Sequence, residues 1–138
     1  MKKNSLFIFM VVPLFMFCQS VKPDTESVKN IEEIQVQAVD FFTFTIISVD
    51  CDKFEEYFSN ITSKSITNST VINEFLSHID KFEPIDSTYS KQINTRAKIH
   101  MISKNDTTTI CVGYLTLQMN DSLYRTPQFI IDFLEEIE

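Results

Sequence analysis

Arg96-Ala97-Lys98-Ile99-His100-Met101-Ile102 alternates polar and apolar side chains residue by residue. A period of two puts alternate residues on opposite faces of a strand, the pattern of a sheet with one buried and one wet side. Ala97, Ile99 and Met101 therefore belong to the core, and Arg96, Lys98 and His100 are expected on the solvent side.

Downstream, Lys104-Asn105-Asp106-Thr107 has the composition of a turn. Residues 110–119 read as one long returning strand interrupted at Gly113, where a bulge or a close backbone approach is expected. Asn120-Asp121 makes a second tight turn, and Ser122-Leu123-Tyr124-Arg125 a short last strand. These segments give an antiparallel meander from Thr95 to Arg125. A helix comes next, with Thr126 as N-cap, Pro127 at its first position and a stripe of Phe129, Ile130, Phe133, Leu134 and Ile137.

Upstream, Val71, Ile72, Phe75, Leu76, Ile79 and Phe82 recur at helical spacing between an Asn68 or Ser69 cap and the stop at Pro84. Residues 84–94 form a loop, and Ser65-Ile66-Thr67 a short edge segment. Asp52 followed by Glu55 has capping-box spacing for a short helix over 53–58. Residues 31–49 carry aromatic and β-branched strand chemistry but are too long for one strand, so two paired segments or a break near Asp40 are expected. The fold class is α+β: a single domain over 31–138, an antiparallel sheet ending in a C-terminal meander, with two amphipathic helices packed on one face.

The N-terminus carries an address. Lys2 and Lys3 precede an unbroken apolar run from Leu6 to Phe17, and Cys18-Gln19-Ser20 comes after it. That layout reads as a signal peptide over 1–20, with a polar lead-in over 21–30. The run falls short of the ~20 residues a spanning helix needs. Cys18 stands where a lipoprotein signal places its lipidated cysteine, but Phe17 before it is larger than such signals use, so lipidation and ordinary cleavage both stay open. The expected location is outside the cytoplasm: periplasmic, secreted or lipid-anchored to the envelope, with Cys18 the only membrane tie.

Removing residues 1–20 takes two lysines and no acid, leaving 10 basic against 19 acidic residues and moving the net charge from −7 to −9. Such a surface opposes phosphate backbones, so nucleic acid is not an expected partner, and it suits a basic protein. The single glycine, Gly113, cannot build a phosphate-cradling loop or a nucleophile elbow, which excludes nucleotide and elbow-hydrolase chemistry. No zinc spacing occurs around His78 or His100, and Asp50, Asp52, Glu55 and Glu56 lack the turn glycine and spacing of a calcium loop. No cofactor or metal is expected. Cys51 and Cys111 can form a disulfide outside the cytoplasm or remain two small buried thiols, the reading preferred from sequence.

Neither histidine has a sequence-visible partner, so the chain is read as a non-enzymatic binding module of the cell envelope. The alternatives are a thiol-dependent hydrolase built on Cys51 and a purely structural envelope lipoprotein. Contact is expected at Arg96, Lys98 and His100 and at Asp86 and Tyr89 in the 84–94 loop. Several stretches also resemble those of a loose group of uncharacterised small exported or lipid-anchored bacterial proteins: Asp50-Cys51-Asp52-Lys53-Phe54-Glu55, 82–90, 96–102 and Asn120-Asp121-Ser122-Leu123-Tyr124. The group usually has Asn-Gly-Lys-x-Tyr at the last of these. The resemblance implies the fold and the exported address, and transfers no catalytic residue.

Overall fold

The computed structural model describes residues 30–86 and 93–136. The signal peptide, the lead-in up to residue 29, Cys18, Tyr89 and Ile137 lie outside those residues.

Six strands form one antiparallel sheet: β1 (Ile31–Ala38), β2 (Thr62–Ile66), β3 (Thr95–Ser103), β4 (Thr107–Gly113), β5 (Thr116–Met119) and β6 (Ser122–Arg125), in the order β2-β1-β3-β4-β5-β6. The alternation of 96–102 does place Ala97, Ile99 and Met101 in the core, each fully buried. They meet Ile34, Val36, Ile110, Val112, Leu117 and Met119 on one sheet face. Two helices close that face. In α2 (Ser69–Ile79) Ile72, Phe75 and Ile79 point inward, and in α3 (Gln128–Glu135) Ile130 and Leu134 do. Phe75 packs against Phe129 and Phe133 across the helix pair, with ring centroids 6.0 and 4.9 Å apart.

Local chemistry fixes the ends of these elements. Asn68 caps α2 by accepting from the N–H groups of Thr70 and Val71, two donors that no helical carbonyl can reach. Asn120 and Asp121 both take positive φ, 49° and 59°, the backbone of a two-residue hairpin turn, and Asn and Asp tolerate it better than other non-glycine residues. The β6 edge is covered by 83–85, where Ile85 N–H donates to the Leu123 carbonyl and Arg125 N–H to that of Glu83. The opposite edge, β2, is short, exposed and carries Lys64 at its centre, which discourages strand addition.

The structure corrects four expectations. Residues 110–119 are not one strand: β4 ends at Gly113, Tyr114-Leu115 turns the chain, and β5 returns with Ile110 opposite Met119. Gly113 does mark a close approach. A Cβ there would stand 2.8 Å from the Asn94 carbonyl oxygen and 3.0 Å from that of Thr116. Residues 41–49 are not a strand either. The break expected near Asp40 is there, with the Asp40 carboxylate and carbonyl accepting from Phe42 and Thr43 N–H, but 41–49 beyond it joins no strand of the sheet.

The capping box does not form. Asp50 precedes a 3₁₀ turn (Cys51–Lys53) without a side-chain cap, and Glu55, inside α1 (Phe54–Tyr57), turns its carboxylate to Lys98 instead. At α3 the cap position falls to Pro127, because the Thr126 hydroxyl donates to the Gly113 carbonyl at 2.8 Å.

Candidate interaction surface

The second sheet face is not the open wet face expected from the alternation. Arg96 is 5% exposed and Lys98 8%, because the chain from 39 to 58 folds back over them. Val39, Val49, Phe54 and Phe58 form a small second core beneath this cover, with Ile61 packed on it. The contact surface expected at Arg96, Lys98 and His100 is therefore corrected: the first two are buried and His100 is half-buried. Alternation reports which side of a sheet a residue faces. It cannot report what a distant segment lays over that side.

Four devices hold the cover down. Cys51 and Cys111 are joined in a disulfide with Cα atoms 5.8 Å apart, so the preferred reading of two free thiols is also corrected. Among the described residues the bond leaves neither sulfur as a thiolate. Lys98 Nζ lies 2.7 and 2.8 Å from the two Glu55 carboxylate oxygens and 5.9 Å from the centre of the Phe54 ring. Burial pushes the Glu55 carboxyl up, but the Lys98 ammonium outweighs it and the group ends below the usual carboxylate value. Asn94 accepts the Val49 N–H at 3.0 Å, and the Val49 carbonyl in turn accepts from Thr95 N–H at 2.8 Å.

Arg96 is the fourth device. It is the extra residue of a bulge where the register steps from Thr95 opposite Gly113 to Ala97 opposite Val112. Its Nε donates to the Thr43 carbonyl at 3.1 Å. Nη1 donates to Asn94 Oδ1 at 2.8 Å and to the Thr95 carbonyl at 3.0 Å, and Nη2 to the Thr45 hydroxyl at 2.8 Å. The guanidinium also sits 5.7 Å from the centre of the Phe58 ring. Every partner is neutral. Burial lowers its pKa, with the Tyr57 phenol pulling weakly the other way.

His100 is the half-open member of the row. Its Nδ1 lies 2.9 Å from the Thr109 hydroxyl and its Nε2 3.4 Å from Gln37 Oε1. Burial lowers its pKa, the Lys98 charge adds to that, and Glu55 opposes it. It borders an open polar depression of about 620 Å³ with Asp50, Asp52, Gln118, Asn120 and Asp121. Among the described residues no group of three His, Cys, Asp or Glu side chains could hold a metal ion, and no helix is long and apolar enough to cross a membrane. Asp86 is exposed just beyond the 83–85 segment.

The clamped cover displays a surface that the sequence alone did not reveal. Phe42, Phe44, Ile46 and Ile47 are 70, 88, 91 and 60% exposed, and Tyr114 and Leu115, on the β4–β5 turn, 54 and 71%. The two loops adjoin: Tyr114 packs on Phe41 and Phe42 with ring centroids 5.9 Å apart in both cases. At ~200 Å² per aromatic side chain, Phe42, Phe44 and Tyr114 expose about 400 Å², and the three aliphatic side chains roughly as much again, on the order of 800 Å² in all. Typical monomers show largest patches of roughly 300–600 Å². The signal was present in the sequence as nine residues without a charge, 41–49, but it has the same composition as a buried strand.

No family model, no curated protein and no solved structure matches this chain.

Proposed function

We propose that the protein is an exported, non-enzymatic binding module of the cell envelope, and that it engages a protein partner through the apolar end formed by 41–47 and Tyr114-Leu115. The observation that carries this reading is the exposure of six large apolar side chains, four on a loop held by a disulfide and an arginine clamp and two on the β4–β5 turn beside it. A surface of that size costs solubility unless something covers it, and holding it rigid beforehand lowers the entropy cost of binding. One partner in a standard interface contributes about 800 Å². The −9 charge of the processed chain favours a partner that is basic around the contact.

The hydrolase alternative would require Cys51 as a thiolate, and its sulfur is bonded to Cys111. The structural-lipoprotein alternative predicts that the apolar end can be altered without consequence. The test is capture from envelope extract by the tagged protein and by a Phe44→Asp, Ile46→Asp double variant. Both substitutions sit on side chains at least 88% exposed, so the fold is retained. Loss of a defined captured protein by the variant supports the proposal, and equal capture by both would refute it.

A further inference from the structure

The floor of the apolar end holds a charge that its walls do not explain. Arg96 lines the groove between the 41–45 loop and the 113–116 turn, about 600 Å³ in volume, whose walls include Phe44, Tyr114 and Leu115. Four of the five guanidinium N–H donors are used, all on neutral oxygens. Among the described residues no carboxylate lies within ion-pair reach of Arg96, while the neighbouring Lys98 has Glu55. A cation 95% removed from solvent and lacking a counter-charge is costly, and an anion brought into the same low-dielectric site would be held strongly.

We propose that this groove binds a carboxylate set among apolar side chains, presented by a peptide segment of the protein partner, with Arg96 as its anchor. The inference rests on the binding role proposed above and names its chemistry. A carboxylate fits better than a phosphate. One cation matches one negative charge, whereas a phosphate brings about −1.5 to −2 and needs a second cation, and among the described residues that line the groove Arg96 is the one charged side chain. The threonine hydroxyls beside the groove, Thr43, Thr45 and Thr116, suit a peptide backbone lying along it. A basic partner surface around one acidic, apolar segment would satisfy both the long-range field and this local site.

The test is an NMR titration of the purified protein with N-acetyl-Ile-Phe-Leu as the free acid, as the C-terminal amide, and with decanoate as an apolar carboxylate that is not a peptide. The free acid is expected to shift the Arg96 Nε–H and the amides of 114–116, to bind at least roughly tenfold more tightly than the amide, and to weaken with salt. Leu115→Ala, which leaves every hydrogen bond of Arg96 in place, should weaken the acid several-fold. Equal binding of acid and amide, or no shift at Arg96 with either, would overturn the inference. Binding of decanoate without the peptide acid would overturn the peptide as occupant. If acid and amide prove equal while the Phe44→Asp, Ile46→Asp variant still loses capture, the binding role stands and only the carboxylate falls.

Discussion

Replacing Cys51 and Cys111 together by serine asks how far the cover depends on its covalent staple. The bond closes a loop of 60 residues, which in the chain-entropy treatment restricts the unfolded chain by about 12 cal/mol/K beyond a short-range constant, or about 4 kcal/mol in all at 25 °C. A domain of this size has a total stability of about 5–15 kcal/mol, so the loss is a large share of it. The loss has a spatial signature as well. Cys111 lies within β4, which the helix-side core holds independently, whereas Cys51 belongs to a segment secured otherwise by two neutral bonds from Arg96, to Thr43 and Thr45, by the bonds of Val49 to Asn94 and Thr95 and by one ion pair. Urea unfolding of the oxidised protein and the double serine variant should show a midpoint lowered by about 1.5–3 M for a slope near 1.5–2.5 kcal/mol/M. Native-state hydrogen exchange should accelerate first at Val49 and Phe58, before Ile99 or Ile110. A stability change under about 1 kcal/mol, or uniform acceleration across cover and sheet, would refute the assignment of the cover to this staple.

Other perturbations separate the remaining parts. Gly113→Ala should cost about 1–3 kcal/mol by overpacking, since the new methyl meets the Asn94 and Thr116 carbonyl oxygens, and it should loosen the Val49 amide that Asn94 holds; denaturant melts and hydrogen exchange read both. Asn68→Ala should cost about 1 kcal/mol with an unchanged denaturant slope, because it strips the cap from α2 and leaves the core intact. Acid should act in two stages. The pKa of His100 lies below its ordinary 6.5 and that of Glu55 below its ordinary 4.5, so on acidification the unfolded chain takes up protons before the folded one. Stability from both groups is then complete above pH 6.5 and falls as pH drops, first through His100 and then, below 4.5, through Glu55. His100→Gln should abolish the first stage in pH-dependent melts and leave the second.

The helix-side half of the molecule could be read from the chain because its pattern is local. Alternation at 96–102, helical spacing at 71–82 and the Asn120-Asp121 turn each depend on neighbours within a few residues, and each appears in the structure as the sheet, α2 and the last hairpin. The other half turned on contacts between distant residues. Arg96, Lys98 and His100 look like a solvated row until 39–58 lies across them, a contact made by partners more than 40 residues away. The exposed 41–47 loop has the composition of a strand, and only the lack of a pairing edge beyond β3 reveals that it is not one. Gly113 drew attention correctly to a close approach, but a missing Cβ does not say whether the chain bulges or reverses.

The most direct test of the apolar end as the working surface is site-specific photocrosslinking in intact cells. A photoreactive phenylalanine analogue at Phe44, 88% exposed on the apolar loop, is compared with the same analogue at Asp106, exposed on the turn between β3 and β4. A discrete crosslinked protein from position 44 and none from position 106 is the predicted result. The same products from both positions, or products from 106 alone, would contradict it.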